Sequence, residues 1–297
     1  MTLDMFLQHL TNAVSLGALY ALVAIGYTMV YGILRLINFA HGTIFTIGAY
    51  AAFMGIAIFN LQWGITYILA ICFTAVLGMA TEKVAYKPLR DAPRISVLIS
   101  AIGVSFLMEN LLIIFFGGRP KPFFRPPIFT QVLEIGAIMI PVLSFAIIIV
   151  SAILLVALTY LLYRTKPGTA MRALANDFET ARLMAIDVDK TVALTFMVGS
   201  SLAAVGGILW ALKFPQINPT MGGFPGLKAF VAAVLGGIGS IPGATVGGLI
   251  LGLCEIMLVA FLPNLSGYRD AVAFVALITV LLLKPTGLLG EKGQVKV

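Results

Sequence analysis

GGIGSIPG, Gly236 to Gly243, decides how this chain is folded. It interrupts an apolar run that extends from about 226 to 262, which is longer than the roughly 20 residues that one helix needs to cross a bilayer. Glycine and proline are the residues least suited to the interior of a helix. The run is therefore either one membrane crossing with a kink or two segments that meet at a turn.

The whole composition is that of a membrane protein. Of the 297 residues, 60% are hydrophobic and only 10% are charged, and the mean hydropathy is +1.05. A water-soluble domain of this composition would expose large apolar patches. The apolar runs are continuous rather than alternating, which indicates helices and not barrel strands. We expect an all-α polytopic bundle of about eight or nine membrane segments, including a broken or re-entrant pair, in a single domain over 1–297. The runs lie at about 9–34, 41–60, 63–82, 95–116, 138–163, 191–212, 226–262 and 268–284.

The distribution of basic residues favours the turned-back version of the long run. With the charged insert at 164–190 in the cytoplasm, that version places thirteen basic residues inside: Arg35, Lys83, Lys87, Arg90, Arg94, Arg164, Lys166, Arg172, Arg182, Lys190, Lys284, Lys292 and Lys296. Six lie outside: Arg119, Lys121, Arg125, Lys213, Lys228 and Arg269. A single crossing would give eleven against eight, a weaker positive-inside bias. The N-terminus is then predicted outside and the C-terminus inside.

The insert contains a short helix of its own. Asn176-Asp177-Phe178-Glu179 has the form of a capping box, which predicts a helix start near Asp177. Phe178, Ala181 and Ala185 then make a narrow apolar stripe on about two turns, too short to be stable alone in water. This stripe packs on the membrane surface, against its own bundle, or on a cytoplasmic partner.

Two breaks in helical segments are the places where a translocation path is expected. Non-helical backbone at membrane depth occurs where it is buried in protein or lines a cavity, and paired breaks point to a transporter's binding region. Helix N-termini at such breaks could hold a carboxylate in transit. Close helix packing by glycine is the alternative explanation for the second break. The candidate path residues are Asn38, His41 and Gly42 at the first break, and Gly236, Gly237, Gly239, Ser240 and Gly243 at the second.

Two carboxylates, Glu109 and Glu255, fall inside apolar runs, where a charge is costly. They are either coupling groups, as a proton-driven secondary carrier would need, or structural glutamates with a partner. His41 is either a hydrogen-bonded structural residue or a protonatable group. The small residues of 191–212 allow close helix approach, within this bundle or against a second membrane subunit.

Other classes of function lack their signatures. The sequence has no G-x-x-x-x-G-K-[ST] phosphate loop, and neither His9 nor His41 has a nucleophile beside it. No catalytic residue, metal site or bound cofactor is expected. The net charge of +7 comes from short loops beside the spans, where lipid headgroups explain it better than nucleic acid.

Several motifs resemble one transporter family. Glu179 to Ala185, ETARLMA, resembles the E-A-A-x-x-x-G loop of bacterial ABC importer permeases, with Thr180 in place of an alanine and Ala185 in place of the glycine. IGYTMVYGILRLINFAHG (Ile25–Gly42), EKVAYKPLR (Glu82–Arg90), ISAIG (Ile99–Gly103) and KAFVAAVLGGIGSIPGATVGGLILG (Lys228–Gly252) resemble the H-type permease of branched-chain amino acid importers. The resemblance covers essentially the whole chain.

The resemblance implies a division of labour. An extracytoplasmic binding protein would deliver a hydrophobic amino acid, this chain and a second homologous permease would form the path in the bacterial cytoplasmic membrane, and two ATPase subunits would supply the energy. The insert would be the ATPase-coupling segment, through Asn176, Asp177, Phe178, Glu179, Ala181, Arg182 and Ala185. Permeases of this kind also move amides, urea or other small substrates, which are the alternative cargo.

Overall fold

The computed structural model describes residues 3–90, 92–136 and 138–290. Helices make up most of them: α1 (Leu3–Leu34), α2 (His41–Ala57), α3 (Trp63–Thr81), α4 (Arg94–Phe116), α5 (Val142–Arg164), α6 (Lys166–Asn176), α7 (Phe178–Leu183), α8 (Val188–Lys213), α9 (Gly223–Gly236), α10 (Ile241–Phe261) and α11 (Arg269–Leu283). A π-helical turn (Glu82–Tyr86) and a 3-10 turn (Lys87–Leu89) continue α3. Strands β1 (Lys121–Pro122) and β4 (Gln216–Ile217) pair antiparallel, as do β2 (Val132–Ile135) and β3 (Ile138–Pro141).

Six helices in the described residues are long and apolar enough to cross a membrane: α1, α3 with its extension, α4, α5, α8 and α10. A seventh span is formed if Pro263–Ala271 and Ala273–Leu283, bent by 53°, are one segment. The predicted helical membrane bundle is confirmed, but the count of eight or nine segments is not. The difference lies in α2 and α9, which have 17 and 14 residues and are too short to cross alone.

Helix α1 is the centre of the bundle. It packs against α10, α8, α9 and α5 and is buried along most of its length. Glycines allow the closest approach, since a Cβ added at Gly17 would lie 2.8 Å from the Leu249 Cα, and one at Gly252 would overlap the backbone of Gly17. Helices α3, α4 and α5 lie outside and expose apolar side chains such as Phe73, Phe106 and Ile153, as expected of surfaces that face lipid.

The long apolar run turns back on itself. Helices α9 and α10 pack side by side, with Gly236 against Gly243 and Ala232 against Gly247. Gly237 and Gly239 take φ of +113° and +97°, values that glycine adopts without steric cost. The turned-back version, rather than the kinked single crossing, is therefore the path of the chain.

The bundle has two distinct ends. The insert end contains residues 164–190; there Arg35 donates to the carbonyl oxygen of Ala175 (3.4 Å), and Arg90 pairs with Asp189 (2.6 Å). The hairpin end contains the β2–β3 hairpin; there the Gln8 amide donates to the carbonyl oxygen of Met139 (3.0 Å). Lys292 and Lys296, which entered the predicted charge count, and the side chain of Arg94 lie outside the described residues.

The last described residues lie at the insert end. The backbone N–H groups of Leu288 and Leu289 donate to the carbonyl oxygens of Leu235 and Gly236, at 3.0 and 2.8 Å. Because α1 begins at the hairpin end, the first and last described residues lie at opposite ends of the bundle.

The predicted span at 138–163 begins too early. Residues Ile138–Pro141 form β3, and helix α5 starts at Val142 with Pro141 as its N-cap residue. The apolar character of Ile138, Met139 and Ile140 is the same in a strand as in a helix, so composition could not separate the two.

The small residues of α8 serve the internal bundle. A Cβ added at Gly48 would lie 2.8 Å from the Ala204 Cβ, and one at Gly207 would overlap the carbonyl oxygen of Phe45. On the α3 side, Gly78 packs against Ser200. These contacts hold α2 and α3 close to α8.

Candidate functional site

A cavity of about 270 Å³ lies between the starts of the two short helices, α2 and α9, and the outer helix α4. This volume is close to the lower end of the usual range for small-ligand pockets, about 300–1,000 Å³. Its wall combines aromatic rings, hydroxyl groups, exposed backbone at glycines and one carboxylate. The lining residues are Tyr27, Phe39, Gly42, Thr43, Thr46, Ser105, Glu109, Pro219, Thr220, Gly222, Gly223, Gly226, Leu227 and Phe230.

Asn38 fixes the non-helical segment that leads into α2. Its side-chain oxygen accepts from the backbone N–H of Ala40 (3.1 Å) and from the Tyr86 hydroxyl (2.7 Å). Its backbone carbonyl accepts from the N–H of His41 (3.1 Å). The residue is buried, so its role in this structure is to hold the start of α2 at a fixed place.

His41 lies beside the cavity but does not line it. The ring is fully buried, 4.4 Å from the Tyr27 ring between centroids. A Cβ added at Gly26 would lie 2.5 Å from Nε2 of His41, so a glycine at 26 makes room for the imidazole. Tyr27 separates this histidine from Phe230 on the cavity wall.

A second break, which precedes α9, faces the first. Asn218 accepts through its side-chain oxygen from the Thr220 N–H (3.1 Å) and hydroxyl (2.9 Å), forming a tight turn before the helix. A Cβ added at Gly222 would overlap the Gly42 carbonyl oxygen, and one at Gly226 would lie 3.0 Å from the Gly42 Cα. The first turns of α2 and α9 therefore meet at backbone distance, and no side chain caps either start.

Helix α4 adds the polar wall of the cavity. The hydroxyl oxygens of Thr43 and Ser105 lie 2.7 Å apart. Glu109 follows Ser105 by one helical turn and is half-buried on the same side. Within the described part of the chain, its carboxylate makes no hydrogen bond and no ion pair.

The Gly236–Gly243 break lies elsewhere. It forms the turn at the far end of α9, near the insert end, and none of its residues lines the cavity. Gly236 packs against the Gly243 carbonyl, and the Ser240 hydroxyl caps α10 by accepting from the Gly243 N–H (3.2 Å). Of the predicted path residues, only Gly42 lines the cavity. Asn38 and His41 are buried next to the lining residues and do not line the cavity themselves.

The insert at 164–190 consists of two helices rather than one. Asp177 is the N-cap of α7, and its carboxylate accepts from the N–H groups of Glu179 (3.0 Å) and Thr180 (3.4 Å). Asn176 instead ends α6 and donates to the carbonyl oxygen of Arg172 (3.1 Å). The predicted capping box, with Asn176 as its first residue, is therefore wrong by one position, because α6 continues through Asn176.

The predicted apolar stripe faces inward at Phe178 and Ala181 but not at Ala185, because α7 ends at Leu183. Ala181 is buried, and Phe178 packs against the hydrophobic core. Ala185 lies beyond the helix, exposed, with a left-handed φ of +59°. The side chains that point away from the bundle are Leu183 and Met184, which are 87% and 74% exposed. Arg182 and Glu179 are also exposed.

Ion pairs tie the insert to the end of α3. Glu82, buried in the π-helical turn, pairs with Arg90. Arg90 also contacts Asp189 at the start of α8 (2.6 Å), and Lys87 contacts the same carboxylate (2.6 Å). Asp187, next to α7, accepts a hydrogen bond from the backbone N–H of Lys190 (3.0 Å). This bond, together with the contact to the Lys190 ammonium group, keeps the pKa of Asp187 below its usual value.

Residues 9–281 match a family model described as "Branched-chain amino acid transport system / permease component". The chain belongs to this family.

Full-length relatives agree with the family match. The permease is 43% identical over 305 aligned residues to "High-affinity branched-chain amino acid transport system permease protein LivH" of Escherichia coli (strain K12), with 98% of both chains covered. It is 41% identical, over the same shares, to the corresponding protein BraD of Pseudomonas aeruginosa. "Autoinducer 2 import system permease protein LsrC" of Yersinia enterocolitica is 28% identical over 93% of this chain and 74% of the relative.

The two intramembrane glutamates of the permease differ. Glu255 is paired, as a structural glutamate would be: Lys228 Nζ lies 2.9 Å from its Oε1, and the Tyr20 hydroxyl donates to its Oε2 (3.1 Å). Lys228 also contacts Asp270 (2.6 Å). Glu109 has no such partner among the described residues, so the structural interpretation of Glu109 stays a prediction.

Sequence reasoning missed most of the cavity of the permease. Thr43, Ser105 and Thr220 are ordinary residues in sequence, and their association depends on the tertiary fold. One signal was available: Asn218-Pro219-Thr220-Met221-Gly222-Gly223 is a turn-forming stretch just before an apolar run. It marks the break that the structure places opposite Gly42.

Proposed function

We propose that this permease forms the translocation path for branched-chain amino acids in an ATP-driven importer. The observation that carries the proposal is the 43% identity to LivH over 98% of both chains. The cavity between α2, α4 and α9 supports it, because apolar rings and a few polar groups suit a small amino acid with a hydrophobic side chain. The chain binds no cofactor and is not itself an enzyme.

The partners follow from this division of labour. Two ATPase subunits hydrolyse ATP at the insert end, a second homologous permease completes the path, and an extracytoplasmic binding protein delivers the substrate at the hairpin end. Lipid surrounds the exposed faces of α3, α4 and α5. Nucleic acid is not a partner.

The insert end faces the cytoplasm. Arg35, Lys87, Arg90 and the basic residues of 164–190 gather there, which supports this orientation by the positive-inside rule. The N-terminus is then outside and the C-terminus inside the bacterial cytoplasmic membrane. The chain acts as one transmembrane domain, and 164–190 is its cytoplasmic coupling segment.

The coupling segment contacts the ATPase through the tip of α7. Two neighbouring aliphatic side chains, Leu183 and Met184, are almost fully exposed there, at an end of the protein that would otherwise meet water. Asp177 and the buried Ala181 set the position of this tip, and Ala185 ends it. Glu179 and Arg182 lie on the exposed side of the same helix.

The path passes the cavity. The starts of α2 and α9 lie at the cavity wall without a side-chain cap, and we expect a substrate carboxylate in transit near these helix N-termini. Because Gly42 and Gly222 have no side chains, the wall of the path at this point is formed by backbone. The Gly236–Gly243 turn acts closer to the cytoplasm, at the base of α9.

The test is co-purification of the permease with its ATPase subunits, followed by leucine uptake into vesicles with and without ATP. Leu183→Asp and Met184→Asp should release the ATPase and abolish uptake, because each puts a charge into an apolar contact. Ile128→Asp, an exposed aliphatic residue near the other end, is the matched control for co-purification. ATP-independent uptake that collapses with the proton gradient would contradict the proposal.

A further inference from the structure

Glu109 is a carboxylate inside a membrane span that makes no hydrogen bond or ion pair with the residues the structure describes. It lies on α4, whose 23 residues are otherwise almost entirely apolar. A charge at such a position is costly and is usually compensated by an opposite charge or by solvent in a cavity. Elsewhere the described chain supplies such compensation: Glu82 pairs with Arg90, and Glu255 pairs with Lys228.

None of the ion pairs among the described residues includes Glu109. Lys228 is next in sequence to Leu227, which lines the cavity on α9. Its ammonium group is already shared by Glu255 and Asp270, at 2.9 and 2.6 Å, and the Lys228 and Glu255 side chains are buried. The cavity therefore presents a carboxylate whose opposite charge has to come from outside the described chain.

The rest of the cavity wall is mainly aromatic and aliphatic, and it suits contact with an apolar side chain. Phe39 and Phe230 lie with ring centroids 6.4 Å apart, and Tyr27 packs edge-on against Phe230 at 6.0 Å. Leu227 completes this side. The Thr43 and Ser105 hydroxyls, which bond to each other, lie on the cavity wall together with Glu109.

We propose that the Glu109 carboxylate binds the ammonium group of the amino acid as it passes the cavity, while Phe39, Leu227 and Phe230 contact its side chain. The inference rests on the proposed function and deepens it, because it names the group that recognises the substrate class. The ligand class is a zwitterionic α-amino acid with an apolar side chain. Amides, urea and carboxylates without an ammonium group lack the charge that this site requires.

The first experiment measures leucine uptake by the assembled complex in proteoliposomes. Glu109→Gln should lower the uptake rate about tenfold or more, the loss expected for a charge-assisted hydrogen bond, and Glu109→Asp should restore a large part of it. The exchange Glu109→Asn with Asn110→Glu keeps the same residues in the span but moves the carboxylate off the cavity, so it should be as impaired as Glu109→Gln. Asn110→Ala, on the exposed side of the same helix, is the control.

The second experiment detects occupancy without transport. Thr220→Cys places a thiol on the cavity wall, in a background where Cys72 and Cys254 are replaced by serine and alanine. Millimolar leucine should slow maleimide labelling of this thiol in the assembled complex, and 4-methylpentanoate, which lacks the ammonium group, should not. In the Glu109→Gln background, protection by leucine should disappear.

The outcomes separate the two proposals. Unimpaired uptake by Glu109→Gln, or equal protection by leucine and 4-methylpentanoate, overturns the role of Glu109 while the importer function stands. Failure of both Glu109→Gln and the exchange variant to assemble with the ATPase also overturns it, since the carboxylate at 109 would then be structural. If the wild-type complex imports no branched-chain amino acid with ATP, the proposed function itself fails.

Discussion

Lys228 Nζ lies 2.9 Å from Glu255 Oε1, and both side chains are nearly inaccessible to solvent. The pair joins α9 to α10 and, through Tyr20 and Asp270, to α1 and α11. The short helix α9, which does not cross the membrane by itself, is thus connected to α10, α1 and α11 through the buried Lys228–Glu255 pair.

Removing only the lysine should be severely destabilising. Lys228→Met leaves Glu255 buried without a counter-charge, which typically costs about 3–5 kcal/mol. The double variant with Glu255→Met should recover most of the loss, because an apolar pair of similar volume is often as stable as the ion pair. Thermal unfolding of the purified permease measures both; a double variant no better than the single one would contradict this.

Gly207→Ala should prevent α2 from packing on α8. The added Cβ would overlap the carbonyl oxygen of Phe45, and overpacking of this kind costs about 1–3 kcal/mol. Gly103→Ala is the matched control, since a Cβ there meets nothing within 4 Å and alanine favours a helix by about 0.5–1 kcal/mol. The yield of monodisperse permease after detergent extraction should fall for the first variant and hold for the second.

Ala185→Gly should make the insert more resistant to trypsin. Ala185 holds a φ of +59°, a conformation that costs about 1–2 kcal/mol for a residue with a Cβ. The same substitution at Ala170, inside α6, should have the opposite effect because glycine weakens a helix interior. Rates of tryptic cleavage after Arg172 and Arg182 measure both changes. If both substitutions shifted these rates equally in the same direction, the strained left-handed conformation of Ala185 would be refuted.

Asp177→Ala should loosen α7, whereas Asn176→Ala should not. Loss of an N-cap costs about 1 kcal/mol, and only Asp177 caps the first-turn N–H groups. Asp177→Asn, which keeps a capping oxygen, should be intermediate. Co-purification with the ATPase and tryptic cleavage after Arg182 test this order; a larger effect of Asn176→Ala would restore the capping box predicted from sequence.

The long spans could be predicted closely because continuous apolar runs leave little choice of structure. The runs at 63–82 and 95–116 became Trp63–Thr81 and Arg94–Phe116. The cap of α7 could not, since Asn176 and Asp177 are both good capping residues and only the length of α6 decides between them. The split of the long run at Gly236–Gly243 was predictable from its glycines and from the charge distribution.

The cavity was much harder to predict. Glu109 stood out as a charge in a span, but its lack of a partner and Lys228's commitment to Glu255 are tertiary facts. Gly42 was predicted as part of a break, whereas its contact with Gly222 joins positions far apart in the chain. Sequence periodicity identifies which face of a helix is apolar, not which other helix start it will meet.

The central place of α1 sets a timing problem for synthesis. Its closest neighbour, α10, follows about 230 residues later, as the contact of Gly17 with Leu249 shows. At about 5–20 residues per second, the ribosome needs roughly 10–50 s to deliver that partner. During this interval the glycine-lined face of α1 has only lipid or the insertion machinery to cover it. The first helix to enter the membrane is therefore among the last to be enclosed, and the arrival of α10 covers this face of α1.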